Sequence, residues 1–270
     1  MNQENIPALL EYQMAPAVRA FSTKRTTDGP LDGPYAGFNI THYCGDQPAH
    51  VAACRSRLCA ALHVAPNRLV LPRQTHGTAI RLIDDAFFAL TDEERAAALD
   101  GIDAVMTAAT DCCIGVSTAD CLPILLYDAA HHCAAAAHAG WRGMVGRIGS
   151  RTLRAMTAAF GTRPEDVRAV LGPAITLPSF EVGEEVAEAF AAAGFRLTDI
   201  GRRFPARDGE RWHIDLHAAA TIDLCEAGID LCHLMVGATD TFTHTDEFFS
   251  ARRLGIGSGR IFTGIMLREM

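Results

Sequence analysis

The chain has 270 residues, of which 49% are hydrophobic, enough for one continuous core. Its 24 basic and 32 acidic side chains give a formal net charge of −8, with no long run of either sign. This balance argues against a nucleic-acid partner, and it leaves room only for a local basic pocket that binds a small phosphate. No apolar run approaches the ~18 residues that span a bilayer, so we expect no membrane partner.

The cysteines and the N-terminus together predict a cytoplasmic location. The start, "MNQENIPALLEYQMAP", lacks the basic residues and long apolar run of a signal peptide. The nine cysteines form an odd set without a repeating spacing. In a reducing compartment we expect most of them to be free, buried thiols, so a special cysteine must be identified by its neighbours.

The chain shows neither a repeat nor a long linker, which predicts one catalytic domain over residues 1–270. Residues 1–20 are a candidate for a loosely packed N-terminal segment. A loop rich in Gly and Pro follows at 26–39. A helix is then predicted over 46–64, with Asp46 as its N-cap and a proline in its first turn.

Strand and helix signals alternate irregularly through the rest of the chain. A strand at 68–72 leads into "RQTHG", and Thr91 and Glu94 have the spacing of a capping box. Buried strands are predicted at 103–107, 112–118, 121–128, 131–138, 167–172 and 261–267. Helices that end before a glycine are predicted at 150–160, 183–193 and 216–227. This order predicts an α+β fold with mixed β-sheets and helices packed outside.

Three short motifs each place a potential metal ligand at the end of a predicted strand. They are "RQTHG" with His76, "STADCLP" with Cys121 and "AAAHAGWRG" with His138. Strand ends converge at a sheet edge, so these distant residues can meet there. Two imidazoles and one thiolate can bind zinc and leave a fourth position open for water. Each residue also has a structural interpretation, as a turn cap, a core thiol and a partner of a backbone carbonyl respectively.

Two neighbours of these motifs suggest chemistry. Asp120 directly precedes Cys121 and is a candidate to move protons near the metal. Arg142 follows His138 near a helix predicted around 145–159, so it is a candidate anion clamp together with backbone N–H groups there. Trp141 has two equally good interpretations: its ring stacks against a ligand, or it is a half-buried side chain that fills the edge of the sheet.

Seven motifs in order resemble one protein family. They are "GPYAGFNITHYCGDQP", "RQTHG", "GIDAVMT", "GVSTADCLPILLYD", "AAAHAGWRG", "GPAI" with "FEVGEEV", and "FFSARRLGIGSGR". They are similar to the family described as multicopper polyphenol oxidases (laccases) and also as purine nucleoside phosphorylases and adenosine deaminases. The resemblance covers most of the chain and implies a layered fold like that of cytotoxic necrotizing factor.

The resemblance also implies an activity and a metal. Zinc would be held by His76, Cys121 and His138, with copper as the other candidate metal. Adenosine, inosine or methylthioadenosine would undergo phosphorolysis to the base and a sugar 1-phosphate, and adenosine would be deaminated. Some members are linked instead to editing of peptidoglycan precursors. The chain departs from the family at "TLPSFEVG", where a cysteine pair is common, and at Asp240 and Thr241, where a Cys-Thr pair is common.

A nucleoside and phosphate are therefore the expected partners, and several side chains are candidates to bind them. Cationic candidates for the phosphate are Arg142, Arg73, Arg55 and Arg252. Candidates for hydroxyl or phosphate contacts are Asn39, His42 and Asp46. The alternatives are solvated surface arginines and turn-forming residues. Phe248 or Phe249 is a candidate base-stacking wall, with a place in the core as the alternative.

Other functions stay open. Cys121 as nucleophile, His138 as base and Asp120 as orienting group would suit a cysteine hydrolase acting on an amide or peptidoglycan precursor. His76 discriminates, because a Cys-His mechanism has no obligatory use for it. A copper-dependent polyphenol oxidase is the weaker alternative, since the 11 histidines include no HxH motif. A protein that binds a ligand without turnover is the third class.

Overall fold

The computed structural model describes residues 7–26 and 32–269, so part of the loop predicted at 26–39 lies outside the described residues. The strands in these ranges are β1 (Leu9–Tyr12), β2 (Val18–Thr23), β3 (Leu69–Val70), β4 (Ile80–Leu82), β5 (Ala104–Thr107), β6 (Cys113–Thr118), β7 (Leu122–Asp128), β8 (Cys133–Ala139), β9 (Val167–Leu171), β10 (Glu181–Val182), β11 (Gly201–Ala206), β12 (Gly209–Ile214), β13 (Leu234–Val236) and β14 (Ile261–Leu267). The α-helices are α1 (Pro48–Leu62), α2 (Asp85–Phe88), α3 (Asp92–Ala98), α4 (Trp141–Val145), α5 (Ile148–Phe160), α6 (Glu184–Ala192), α7 (Leu197–Ile200), α8 (Leu216–Glu226) and α9 (Ala251–Leu254).

The strands form three sheets with mixed pairing. A five-stranded sheet has the order β1-β2-β14-β6-β3, and a six-stranded sheet has the order β13-β9-β7-β8-β5-β4. Parallel pairs occur at the edges of both, while the central pairs are antiparallel. A smaller sheet, β10-β12-β11, completes the set. The predicted α+β class with mixed sheets is confirmed.

The two large sheets and the helices form layers, and hydrophobic side chains fill the space between adjacent layers. Side chains of both large sheets, such as Ile114 and Leu125, fill the core between them. Helix α1 covers the outer face of the five-stranded sheet, where Leu58 packs with Phe262. Helices α4, α5, α6 and α8 cover the outer face of the six-stranded sheet, in a core that includes Leu153. The helices therefore lie outside the sheets, as predicted.

The run of alanines in β8 is explained by the burial of both faces of this strand. Ala134 and Ala136 belong to the core between the sheets, while Ala135 and Ala137 belong to the core beneath the helices. Because successive side chains alternate between faces, both faces of β8 are buried. Small side chains let α5 and the five-stranded sheet approach this strand closely. Tertiary packing thus outweighs the low strand propensity of alanine.

Several local predictions are confirmed, and one cap is wrong. The capping box of α3 forms, with Thr91 and Glu94 bonding each other's backbone N–H groups. Helix α1 starts at Pro48 with Gln47 as its N-cap, so Asp46 is not the cap. The carboxylate of Asp46 is occupied by other donors, described below.

The helix predicted around 145–159 is two helices, and it starts earlier. Helix α4 begins directly after Gly140, and the chain breaks at Arg147, whose φ is 59°. The guanidinium of Arg147 lies 3.7 Å from the ring centre of Phe195 and pairs with Glu226 at 2.9 Å.

The described part of the segment 1–20 packs onto the core. Strands β1 and β2 belong to the five-stranded sheet, and Tyr12, Met14, Val18 and Ala20 are buried. Residues 1–6 lie outside the described residues. No helix in the described part of the chain is long and apolar enough to cross a membrane.

Candidate metal centre

The structure brings the three predicted metal ligands together. The ligand atoms of His76, Cys121 and His138 lie within 4.8 Å of one another. The two imidazole rings meet nearly edge to face, with centroids 4.8 Å apart. Among residues 7–26 and 32–269, no other group of three or more His, Cys, Asp or Glu side chains offers ligand atoms this close together.

The topology explains this convergence. His76 lies in the connection from β3 to β4, and Cys121 lies in the turn from β6 to β7. Both connections pass from the five-stranded sheet to the six-stranded sheet. His138 lies near the end of β8, which pairs with β7 and β5. The centre therefore sits where the chain crosses between the two sheets.

Two residues of this centre have a left-handed backbone. The φ angle is 63° at His76 and 88° at Asp120. Such angles are uncommon outside glycine and cost free energy unless the surroundings hold them. Both turns are in fact held by hydrogen bonds to buried carboxylates and amides. Strained backbone of this kind is typical of functional sites.

Asp103, at the start of β5, holds the His76 loop. This carboxylate is fully buried and accepts hydrogen bonds from the backbone N–H groups of Thr75, His76 and Gly77, at 3.2, 3.0 and 2.7 Å. It also contacts Nδ1 of His138 at 2.8 Å. Asp103 therefore contacts two of the three candidate ligands: the backbone N–H of His76 and the imidazole ring of His138. Sequence reasoning missed Asp103, although its motif "GIDAVMT" was among those of the resemblance.

Gln74 ties the same loop to the end of β6. Its Nε2 donates to the carbonyl of Ser117 at 2.7 Å, and its Oε1 accepts from the N–H of Ser117 at 2.8 Å. The hydroxyl of Tyr43 donates to the same Oε1 at 3.2 Å. The loop that carries His76 is thus fixed to both large sheets. Gln74 was also missed as a support of this loop, although it lies within the motif "RQTHG".

The carboxylate of Asp120 is used to brace the Cys121 turn. Its Oδ1 accepts from the hydroxyl of Thr241 at 2.8 Å, and its Oδ2 accepts from the N–H of Arg252 at 2.7 Å. Its backbone carbonyl accepts from the N–H of Ile175 at 2.9 Å. Asp120 therefore anchors segments 174–181 and 240–254 beside the centre. Its proton-carrying role stays a prediction.

The two places where the chain departs from the family pattern meet in space. Oδ2 of Asp240 accepts a 2.5 Å hydrogen bond from the hydroxyl of Ser179, and Oδ1 accepts from the N–H of Thr176 at 3.3 Å. These contacts join the same two segments that Asp120 anchors. The hydrogen bonds that Asp240 accepts from Ser179 and Thr176 thus tie these two segments together.

Thr241→Val should test the brace on Asp120. The change keeps the shape of the side chain but leaves one oxygen of a buried carboxylate without a donor, which costs about 1–3 kcal/mol. We expect chemical denaturation to show a loss of unfolding free energy of that size. Zinc affinity should fall by less than in a variant that removes a candidate ligand, because Thr241 reaches Cys121 only through Asp120. Thr243→Val, at an exposed position, is the control; an unfolding free energy in Thr241→Val equal to that of the wild type would contradict the brace.

Electrostatics in the centre favour a charged Cys121-His138 pair. Burial opposes ionisation of the Cys121 thiol, but the charge of His138 and hydrogen bonds from His138 and His76 lower its pKa to about 6. Burial likewise disfavours protonated His138, but the Cys121 charge and the Asp103 contact raise its pKa to about 9. A thiolate at neutral pH is the form that binds metals and attacks carbon.

The donor set and the space around it fit a metal ion. A Cβ placed on Gly140 would lie 2.8 Å from Cδ2 of His76 and 3.0 Å from Sγ of Cys121. Only a glycine therefore leaves both side chains where they are. Because Asp103 occupies Nδ1 of His138, the Nε2 atom stays free for a ligand bond. Two nitrogens and one sulfur are a set that zinc accepts, with a fourth position open.

Two of the predicted phosphate-binding arginines are occupied. Arg73 is exposed and forms an ion pair with Asp100 at 2.7 Å. Arg55 on α1 donates to the carbonyl of Leu69 at 3.2 Å, and burial lowers its pKa. Arg55 is thus held by a contact within the protein, whereas Arg73 has only an exposed ion pair; the substrate roles of both stay predictions.

The side chains of the other two arginines, Arg252 and Arg142, differ in their contacts within the protein. Arg252 donates through its side chain to the carbonyl of Glu181 at 3.0 Å. Arg142 is exposed, its guanidinium carbon lies 4.2 Å from the ring centre of Trp141, and it forms no ion pair in the described ranges. Arg142 therefore has its charge available beside the centre.

The loop "FNITHYCGD" uses most of its polar side chains internally. Nδ2 of Asn39 donates to Asp46 at 2.7 Å, while its Oδ1 accepts from the N–H groups of Thr41 and Arg260. Asp46 also contacts His50 Nδ1 at 2.8 Å. His42, in contrast, is exposed. Asn39 and Asp46 shape this loop, and the substrate contacts of all three stay predictions.

Phe248 and Phe249 belong to a core. Both are almost fully buried and pack with Ala119 and Ile261. The alternative interpretation of this pair, as core side chains, is the one that the structure supports.

Known proteins resemble this chain in sequence and in fold. The family model "Multi-copper polyphenol oxidoreductase laccase" matches residues 19–268. A "Purine nucleoside phosphorylase" of Bacteroides thetaiotaomicron is 44% identical over 241 residues, covering 89% of this chain and 88% of that protein. "Adenosine deaminase RL5" of an unknown prokaryotic organism is 44% identical over 250 residues, covering 92% and 93%. The crystal structure of the hypothetical protein YfiH from Bacillus licheniformis matches with a TM-score of 0.85 at 25% identity, covering 97% of both chains. The chain thus belongs to the multi-copper polyphenol oxidoreductase laccase family.

Proposed function

We propose that this chain is a zinc-dependent purine nucleoside enzyme that works as one catalytic domain. It catalyses phosphorolysis of adenosine, inosine or methylthioadenosine, and it deaminates adenosine. The observation that carries this proposal is the convergence of two imidazoles and one thiolate at the strand ends. The chain shares 44% identity with proteins named as a purine nucleoside phosphorylase and an adenosine deaminase, which supports this chemistry.

In this proposal, different residues bind the metal, position the metal ligand and bind phosphate. His76, Cys121 and His138 would hold zinc, which supplies Lewis acidity at this point when bound. Asp120 keeps the Cys121 turn in place, and its proton transfer to or from the purine is part of the proposal. Arg142 offers the available positive charge for a phosphate ion.

Product analysis with and without phosphate tests the proposal. Phosphorolysis of adenosine yields adenine and ribose 1-phosphate and requires phosphate, whereas deamination yields inosine and ammonia without it. We expect both in the wild type and neither in His76→Ala. Wild-type protein with one bound zinc that converts none of the three nucleosides would overturn the enzyme assignment and favour a binding protein.

Arg142→Gln should separate the two reactions. A hydrogen bond to a charged group contributes about 1.5–3 kcal/mol, so the KM for phosphate should rise by roughly 10- to 100-fold. Deamination, which uses no phosphate, should keep its rate. Arg154→Gln removes another exposed arginine, on α5, and should change neither reaction. An unchanged KM for phosphate in Arg142→Gln would exclude this residue as the clamp.

A cysteine hydrolase is the second candidate, and one observation favours it. The ligand atoms of Cys121 and His138 lie within 4.8 Å of each other, and the charge of His138 lowers the pKa of the Cys121 thiol despite its burial, which suits a nucleophile beside its base. His76→Ala discriminates here too, because it removes a zinc ligand but leaves this pair. Amide hydrolysis that survives His76→Ala would favour the hydrolase.

Copper oxidase chemistry is the weaker alternative. A multicopper enzyme needs several copper sites, and the described residues contain one converging cluster of suitable ligands. A His-Cys-His site can bind copper readily, which makes copper the other candidate metal. We also propose a cytoplasmic location, since all nine cysteines lie in described residues and none forms a disulfide.

A further inference from the structure

We propose that Asp103 is a positioning residue of the metal centre, which sets the His76 loop and the His138 ring with one carboxylate. This inference depends on one part of the proposed function, namely that the centre binds zinc. It does not depend on which reaction the protein catalyses. It concerns a residue that touches no substrate and supplies no metal ligand.

The hydrogen bonds of Asp103 carry the argument. Its Oδ1 meets the N–H of His76 at 3.0 Å and Nδ1 of His138 at 2.8 Å. Its Oδ2 accepts from the N–H groups of Gly77 and Thr75. Four donors from two separate chain segments thus converge on a side chain with no exposed surface.

The contact with His138 determines which ring nitrogen faces the centre. Nδ1 donates a hydrogen bond to Asp103, so Nε2 is the nitrogen left for the metal, which displaces the Nε2 proton when it binds. The backbone of the two residues is joined as well, because the N–H of His138 donates to the carbonyl of Asp103 at 2.8 Å. Ring orientation and strand register are therefore fixed by the same residue.

The contact with the loop holds an unfavourable backbone. His76 has a φ of 63°, and its N–H is one of three successive N–H groups that Asp103 binds. Without this acceptor the loop would relax toward the commoner right-handed region, and the His76 ring would move with it. Asp103 thus sets the position of a ligand that is otherwise exposed.

Asp103→Asn is the sharpest test. One carboxylate oxygen becomes an NH₂ group, which cannot accept from the loop N–H groups and cannot accept from Nδ1 of His138. Either orientation of the amide therefore loses two of the four hydrogen bonds. Loss of an outer partner of a metal ligand typically weakens metal binding by 10- to 100-fold. We expect zinc affinity, measured by competition with a chelator, to fall by about that factor.

Asp128→Asn is a matched control from the same chain. Asp128 is also fully buried, accepts from the N–H groups of Ala130 and His131, and contacts Nδ1 of His131 at 2.8 Å. It stands at the far end of β7 from Cys121, about 20 Å away along the strand. This variant should lose stability in thermal unfolding but bind zinc like the wild type.

A spectroscopic measurement and a second variant guard against a failure to fold. The absorption spectrum of the cobalt-loaded protein reports the ligand geometry and should change in Asp103→Asn but not in Asp128→Asn. Gly77→Ala keeps the carboxylate but places a Cβ 3.3 Å from Oδ2 of Asp103, so the loop or the carboxylate must shift by a few tenths of an ångström. It should weaken zinc binding in the same direction by a smaller factor.

The outcomes separate this inference from the proposed function. Unchanged zinc affinity and an unchanged cobalt spectrum in folded Asp103→Asn would overturn the positioning role, whatever the enzyme does with nucleosides. Equal weakening in Asp103→Asn and Asp128→Asn would overturn it too, because general stability would then explain the effect. Absence of nucleoside turnover in the wild type would overturn the proposed function and leave the zinc comparison intact.

Discussion

Cys121→Ser is expected to remove zinc and nucleoside turnover together while the fold stays intact. The thiol of Cys121 has a pKa of about 6 and is ionised at neutral pH, whereas a serine hydroxyl stays protonated and is a poor zinc ligand. The two side chains have nearly the same shape, so packing should change little. Loss of a direct ligand should exceed the ~100-fold effect that can follow loss of an outer partner. Elemental analysis of purified protein and the adenosine assay with phosphate measure both effects.

Cys232→Ser is the control for this experiment, since it removes an exposed thiol outside the centre. It should keep full zinc content and full turnover. Full zinc content and full turnover in Cys121→Ser would show that the zinc assignment is wrong. A metal-free wild type that hydrolyses an amide, with that activity lost in Cys121→Ser, would instead establish the cysteine hydrolase.

Local signals in the sequence pointed to the convergence of these three motifs, whereas the choice of His76, Cys121 and His138 as zinc ligands came from the family resemblance. Each candidate ligand follows a short apolar run and stands beside small or turn-forming residues, as at His76 before Gly77. Strand ends and tight turns are local properties, so the sequence displays them. The capping box at Thr91 and Glu94 was predictable for the same reason.

The support of the ligands was not predictable, because it depends on pairing between distant segments. Asp103 is one aspartate before a strand, and its role appears only when β5 pairs with β8 and the His76 loop folds over it. The five-stranded sheet places β14 between β2 and β6, which no local pattern indicates. The side chain of Arg147, where α4 and α5 separate, likewise contacts Phe195 and Glu226, which are far away in sequence.

Gly140→Ala is expected to damage the centre without damaging the fold. The φ of Gly140 is −66°, which alanine adopts freely, so the substitution adds no backbone strain. The added Cβ would meet His76 at 2.8 Å and Cys121 at 3.0 Å. The atoms that must move are therefore metal ligands, whereas the backbone around them can stay in place.

The expected size of this effect follows from the cost of overpacking. Insertion of a methyl group into a filled site costs about 1–3 kcal/mol, which corresponds to zinc binding weaker by roughly one to two orders of magnitude. Thermal unfolding of the metal-free protein should be unchanged, because the ligands can separate. Gly257→Ala, where the nearest atom is the Tyr35 hydroxyl at 3.3 Å, should leave zinc affinity unaltered. The added Cβ must displace His76 or Cys121, so zinc binding has to weaken if these two residues are ligands. Zinc affinity in Gly140→Ala equal to that of the wild type would therefore mean that the metal is bound elsewhere.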